Sequence, residues 1–474
     1  MPDYDMVVVG SGFAGSAATL SFLEAASEAG RTGRVALVEA GKKGTWPGAS
    51  RWSRPFLRLD RDNTLPRDWL GRAEQDSRGL TDLDYCRKLT DEMPDTVEFM
   101  EDHGVNLIHH DEEDAALGFE EQHFVYPAGG GKEVIDFYLS YIARHETADV
   151  LWEREATGLS LDDDGRVRGI VVREPDGSSC TIAAASVVLA CGGCQGSPEM
   201  LARDLGEDAA ELPIIARGLR YNRGAGIRMA VEAGAATAGQ PGMFHAELVD
   251  PRAGKHHAAI WGQTYGIVVN EDCERFHDEG EDYLFATSEA LAYDTWRYQN
   301  QRSYLITDAT VMERFEGSWV YETTDIPPER SYTIAGLAGK LGLDPARLEA
   351  TVEEFNAACG PGDWDPARMD GRKTSGITPP KSNWAAPILE APFYGFPMTA
   401  HLSFTFGGLK VDADGRVLRP SDTPIPGLYA AGEITGLFYH RHPPGTSVLR
   451  ANTFGRLIGA SVAESLPQTA PAGG

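Results

Sequence analysis

The stretch YHRHPPGTS, residues 439–447, sets two imidazoles either side of a guanidinium, then two prolines, a glycine and two hydroxyls. Three chemistries use such residues. His440 and His442 could ligate a metal, the prolines could stiffen a surface turn, or His-Arg-His could grip an anion ahead of a helix. The metal reading is the poorest of the three. The histidines alternate by two, and no nearby Cys, Asp or Glu completes a ligand count. No metal site is expected.

A second set has a sharper spacing. In GSGFAG, residues 10–15, Gly10 permits a tight turn, Gly12 lets the backbone approach a pyrophosphate, and Gly15 lets a helix pack closely on a strand. Ala14 belongs to the same turn. Before it, DMVVV reads as a buried strand, and after it SAATLSFLEAASEAG reads as a helix. RVALVEAG, residues 34–41, is a second strand, with Glu39 placed at its end to accept from a ribose hydroxyl pair. The glycine-to-acid interval exceeds the usual figure of about twenty residues, and the turn EAGRTGR accounts for the excess. Strand, glycine turn, helix, strand and terminal acid together read as a dinucleotide site, with helix N–H groups facing the phosphates.

The remaining chain must position these groups. WPGASRWSRPFLRLDRDNTLP, which holds Ser50, Arg51 and Arg54, reads as a long loop crossing a flat cofactor. Helices are expected over 91–103 and 132–144, with the acidic HHDEEDAALGFEEQ between them as solvated loop. Residues 150–193 alternate in short strands with DDDGR and EPDG turns, and return to a buried strand, VVLACGG. Gly192 and Gly193 at its end would make a second cofactor contact. Residues 220–239 read as a turn and helix. The segment 243–385 is richer in aromatics, Arg and charged loops, and the HHAAIWG within it reads as a surface hairpin. Strand and hairpin patterns return at 409–436, and the chain closes with the helix TSVLRANTFGRLIGASVAESL. The expectation is an α/β fold whose dinucleotide-binding domain, 1–242 and 386–474, is interrupted by an α+β capping domain at 243–385.

With 474 residues, two domains are the prior. A formal charge of -28 repels nucleic acid and anionic lipid, so neither is an expected partner. The six cysteines are too spread for a disulfide scaffold; the Cys191–Cys194 CGGC is read as a buried strand end in preference to a redox pair. MPDYDMVVVG lacks a basic leader, and no apolar run reaches membrane-spanning length, so a cytoplasmic location is expected.

Several motifs in order carry a family resemblance. They are GSGFAG with Glu39, VVLACGGCQGSPEML at 187–201, RYNRGAGIRMAVEAGA at 220–235, GIVVNEDCERFHDEG at 266–280, HLSFTFGG at 401–408, and GLYAAGEITG. Nearly the whole chain resembles the flavoprotein superfamily of fumarate reductase and succinate dehydrogenase. It looks most like the tricarballylate dehydrogenase branch, with 3-ketosteroid dehydrogenases more distant. The resemblance implies a Rossmann-like, glutathione-reductase-like FAD domain with a mobile cap, and noncovalent FAD. Gly10, Gly12, Ala14, Gly15, Glu39, Ser50, Gly192, Gly193, Gly432, Glu433, Thr446, Ser447 and Leu449 would hold the cofactor. Glu433 would take the ribityl chain, and the helix near Thr446 would face the pyrimidine ring.

The implied activity is hydride exchange between flavin N5 and a carbon beside a carbonyl or carboxylate. A dehydrogenase or desaturase of a small polar, carboxylated molecule is the first expectation, with a separate electron acceptor or oxygen. The alternatives are a fumarate-reductase-like C=C reductase, a ketosteroid-type enzyme with an apolar substrate, and a flavin-bearing assembly partner of an electron-transfer protein. His401 matches the substrate-binding histidine of the family, and His440 that of the tricarballylate branch. His442 stands where fumarate reductases carry a clamping arginine, so Arg441 is expected to supply the cation. Tyr283 falls nearest the proton-shuttle position, with Arg275 and His277 close in sequence. His245 is a candidate lid residue, and Pro444 replaces a family glycine.

Overall fold

A computed structural model describes residues 3–109, 124–256, 258–317, 320, 324–443 and 445–467. The acidic segment read as solvated loop lies outside these residues except for His109; Pro444 lies outside them too. The described chain divides into two compact units, one of 3–109, 124–245 and 403–467, the other of 246–402.

The first unit is organised on a mixed sheet. β1 (Tyr4–Val9) pairs in parallel with β2 (Val35–Glu39) and with the strand Ser179–Leu189. Ala148–Trp152 extends the sheet beyond β2, and Pro424–Ala430 extends it beyond Ser179–Leu189, both in parallel. A strand covered on both faces needs a continuous apolar run, which is why Met6, Val7 and Val8 are fully buried. Glu155–Leu161, Val167–Arg173 and Ser179–Leu189 form the antiparallel meander read from the DDDGR and EPDG turns.

α1 (Phe13–Glu28) leaves the end of β1, and the last helix, Ser447–Glu464, packs on it. Glycine permits this contact. A Cβ on Gly455 would lie 2.4 Å from the Ala14 carbonyl oxygen, and one on Gly459 2.2 Å from that of Ala18. The helices therefore meet backbone against backbone over the start of α1.

The second unit has its own sheet and core. Ser303–Thr307 pairs antiparallel with Phe393–Thr405 and with Ile267–Val269. Ile334–Leu341 and Pro345–Ala358 cover the sheet through Leu337, Leu348, Val352 and Phe355. Asp344 caps the second of these helices by accepting from Arg347 N–H at 3.0 Å. A buried ionic cluster ties its loops. Arg275 pairs with Glu279 at 2.5 Å, and Lys381 Nζ donates to the Thr264 and Gly266 carbonyls at 2.6 Å. Burial pushes Lys381 down to about 8.

HHAAIWG corrects an expectation. Ala258, Ala259, Ile260 and Trp261 are buried, because four apolar residues in sequence outweigh the polar start of the segment. An aromatic-rich helix runs from Leu284 to Tyr298.

The helix contact gives a stability test. Gly459→Val forces the two backbones apart and is expected to lower unfolding free energy by about 1–3 kcal/mol. Gly71→Ala, on the helix Trp69–Asp76 with nothing within 4 Å of its Cβ position, is the control. It is expected to raise stability by up to about 1 kcal/mol. Denaturant titration of both variants checks the pair.

Candidate active site

The glycine turn is held by its neighbours. Gly10 has φ +103°, and a Cβ there would lie 2.5 Å from the Ala190 carbonyl oxygen. A Cβ on Gly15 would lie 1.9 Å from the Gly10 carbonyl oxygen. Only glycine fits either place. Gly12 is the N-cap of α1 and has no side chain to cap it. The long loop supplies the missing acceptor, since Ser50 Oγ accepts from Phe13 N–H at 3.1 Å.

Glu39 is buried at the end of β2. One carboxylate oxygen accepts from Ser11 N–H at 3.0 Å and Ser11 Oγ–H at 2.8 Å; the other accepts from Gly41 N–H at 2.9 Å. The acid is therefore fixed beside the glycine turn, as the spacing argument required.

The second wall of this unit is built on Glu433. It follows Gly432, which has φ +83° and whose Cβ position lies 3.1 Å from Ala14 Cβ. Gln195 Nε2 donates to Glu433 at 2.5 Å and to the Ser403 carbonyl at 2.9 Å. Thr405 N–H donates to Glu433 at 3.0 Å, and Asn222 Nδ2 at 3.4 Å. Gly193 is close enough that a Cβ there would lie 2.3 Å from Glu433 Oε1. Gly192 similarly abuts Asn222. Burial pushes Glu433 up to about 7 despite these donors. Gln195 Oε1 is buried and has no partner among the described residues.

The stretch 439–447 meets the last helix. His440 has φ +58°, and its N–H donates to Gln240 Oε1 at 2.8 Å. Burial, with help from Arg78, lowers its pKa. Arg441 N–H donates back to the Tyr439 carbonyl at 2.6 Å, closing a tight turn. His442 Nε2 lies 2.9 Å from Ser447 Oγ. Its ring makes edge contacts with Phe404 at 5.0 Å, Phe438 at 4.8 Å and His245 at 5.3 Å. His245 in turn stacks on Phe404 at 4.7 Å. Burial first, then His245 and Arg450, hold His442 well below the usual imidazole range, so it is neutral at pH 7. Thr446 Oγ–H donates to the Pro443 carbonyl at 2.7 Å, Ser447 opens the helix, and Leu449 is buried inside it. The helix has no side-chain cap on its first N–H groups.

His401 and Tyr283 belong to the second unit. His401 lies on Phe393–Thr405, and burial, partly opposed by Glu247, pushes it down to about 4. Tyr283 is the buried N-cap of Leu284–Tyr298. His277 Nδ1 lies 2.9 Å from Asp294, and Arg275 is committed to Glu279. In the first unit, Arg51 pairs with Asp136. Cys191 and Cys194 are free thiols pushed up by burial to about 11 and about 12. Protonated thiols are poor nucleophiles, which favours the structural reading of CGGC.

Sequence reasoning did not single out Gln195, Asn222, Phe404 or Phe438. Gln195 carried a signal, a long amide inside a glycine-rich strand end. The aromatic pair carried none, because Phe404 and Phe438 are 34 positions apart and converge only in the fold.

An acid at the end of β2, a glycine turn, a second glycine wall around a buried carboxylate, and two helix N-termini suit a dinucleotide with an extended polyol and an anionic ring system. These residues fit FAD. The chain belongs to the FAD binding domain family, which matches residues 5–448. It is 28% identical over 506 aligned positions to the vinyl phenol reductase of Lactiplantibacillus plantarum, covering 97% of this chain and 96% of that protein. It is 29% identical over 331 positions to the 3-oxosteroid 1-dehydrogenase of Mycobacterium tuberculosis, over 64% of this chain, and spans 58% of that relative. A solved flavocytochrome c3 fumarate reductase in its open conformation superposes with a TM-score of 0.75 at 23% identity, covering 98% of this chain and 79% of that one. The protein is an FAD-dependent oxidoreductase of the fumarate reductase and ketosteroid dehydrogenase type. Among its described residues no helix is long and apolar enough to cross a membrane.

Two outcomes follow from this geometry. Glu39→Ala removes a carboxylate acceptor whose hydrogen bonds are each worth about 1.5–3 kcal/mol. FAD affinity is expected to fall about 10–100-fold, read by fluorescence titration of the stripped protein. Glu433 gives a pH test in the cofactor-free protein. Its native pKa lies above the ordinary 4.5. The unfolded chain therefore ionises first, and stability falls as pH rises from about 4.5 to about 7 and is level above. Glu433→Gln is expected to remove about 1–3 kcal/mol of that fall, measured by denaturant titration across the range.

Proposed function

We propose that this enzyme reduces a carbon–carbon double bond conjugated to an aromatic ring or carbonyl, in a substrate that is largely apolar. One observation carries the reading: a neutral His442 enclosed by Phe404, Phe438 and His245. Such a set suits a flat conjugated ring. It is a poor clamp for a dianion, which needs fixed positive charge. The near full-length likeness to a vinyl phenol reductase supports the same substrate class and direction.

Bound FAD supplies the two-electron hydride chemistry. The chain's residues do the rest. Glu433, with Gln195 and Thr405, holds the polyol of the cofactor, and Glu39 its ribose. The uncapped start of Ser447–Glu464 favours negative charge on the ring system. His442, oriented by Ser447, offers a hydrogen bond to a substrate hydroxyl or carbonyl oxygen as charge develops there. A proton must reach the other carbon as the hydride arrives.

A second reading keeps the dehydrogenase of a small polar acid, with electrons leaving to a separate acceptor or oxygen. Arg441, next to His442 and partly exposed, favours it, as a carboxylate clamp one position along.

The two are separated by an anaerobic panel with reduced viologen as donor. 4-Vinylphenol and related vinyl arenes are expected to turn over with kcat/KM at least tenfold above fumarate or acrylate. Turnover of fumarate alone, or bleaching of the cofactor only by saturated acids, would overturn the first reading. His442→Phe keeps the aromatic packing and removes the hydrogen bond. It is expected to lower kcat/KM on the vinyl arene about a hundredfold, with cofactor content unchanged.

A further inference from the structure

Arg450 is a buried cation with no carboxylate in ion-pair contact among the described residues. It lies in the first turn of Ser447–Glu464, with its N–H on the Thr446 carbonyl at 2.9 Å, and is 2% exposed. Nη1 donates to the Thr435 carbonyl at 3.2 Å and to Thr435 Oγ1 at 3.4 Å. The guanidinium stands 4.5 Å over the Phe438 ring. Among the described residues Nε has no partner and no carboxylate is in ion-pair contact with the group. Arginine does not shed its proton to escape burial. A fixed charge in such a place is costly unless something anionic offsets it.

The groups around it show where its field acts. Tyr85 and Cys86 lie within its field, both held protonated by burial. Glu433 and His442 lie within it too, and Arg450 lowers the pKa of each. His245 meets the His442 ring edge-on at 5.3 Å. Glu433 is the residue assigned to the polyol of FAD, and His442 is bonded to Ser447 at the start of the helix assigned to its ring. A charge felt at both is felt by what they hold.

We propose that Arg450 is a positioning residue for charge, which stabilises the negative charge that FAD gains on reduction and so raises its two-electron potential. The helix terminus supplies a partial charge at the same place; Arg450 adds a whole one. Glu433, when ionised, acts in the opposite sense, and Arg450 offsets it. The inference rests on FAD as cofactor and is independent of the substrate.

The test is the midpoint potential of the FAD-loaded protein, followed spectroelectrochemically from pH 6 to pH 8. Arg450→Met keeps the length of the side chain and removes its charge; Arg450→Lys keeps the charge. Arg450→Met is expected to disfavour the reduced form at least tenfold, a fall of about 30 mV. Arg450→Lys is expected to recover most of it. Wild type is expected to take up one proton per two electrons, a slope of about 30 mV per pH unit. In Arg450→Met the slope is expected to steepen towards about 59 mV per unit. A purely structural role would lower the melting temperature of Arg450→Met and leave potential and slope unchanged, which overturns the proposal. Weakened FAD affinity at unchanged potential also overturns it, and assigns the charge to the phosphates. If Arg450→Met does not retain FAD, the wild-type slope decides, and a value near 59 mV per unit across the range sinks the idea.

Discussion

The backbone contact between α1 and the last helix is the constraint on which the cofactor site depends. Gly455 and Gly459 let Ser447–Glu464 lie against the Ala14 and Ala18 carbonyls. Ala14 also abuts Gly432, and Gly432 abuts Ala451. The starts of two helices and the turn that bears Glu433 are thus fixed within contact of one another. Neither helix has a cap from its own N-cap side chain. Both leave N–H groups to a ligand, and a rigid contact keeps them convergent. A side chain as small as alanine at Gly455 or Gly459 would move one terminus away from the other.

The same contact makes the site electrostatically costly. Glu433 is drawn to about 7 by burial, His442 is driven neutral, and Arg450 stays charged with no carboxylate in ion-pair contact among the described residues. Each would be better solvated at the surface. Together they describe a site whose stability was exchanged for chemistry. A neutral imidazole can donate or accept one directed hydrogen bond, and a half-ionised acid can hold hydroxyls through both protonation states. A buried cation acts at a distance without touching substrate. The polarity is thus divided between directed hydrogen bonds and one full charge.

What the sequence made legible follows from how local each signal is. Gly10, Gly12, Gly15 and Glu39 lie on one strand–turn–helix–strand passage, so spacing alone carries their geometry. A strand pattern returning around GLYAAGE was readable, its place next to Ser179–Leu189 was not, and β-branched runs marked β1 and β2. The aromatic enclosure of His442 was not readable. Phe404, Phe438 and His245 come from three segments, and apolar residues give no sign of where they converge. HHAAIWG failed for the complementary reason. Its histidines suggested water, while the buried surface of the four residues after them decided the outcome.

Arg450 shows the limit most plainly. Within TSVLRANTFGRLIG an arginine every few positions reads as the solvated face of a helix, and Arg456 six residues on does pair with an acid, Glu92. Only packing distinguishes the two. Arg456 points where Glu92 waits, and its charge is answered by protein. Arg450 points between Thr435 and the Phe438 ring, where the available partners are a carbonyl, a hydroxyl and a π-face. Each of these tolerates a cation and none cancels it. The charge is therefore left over for something that binds, and the element it sits on is the one whose terminus already favours an anion.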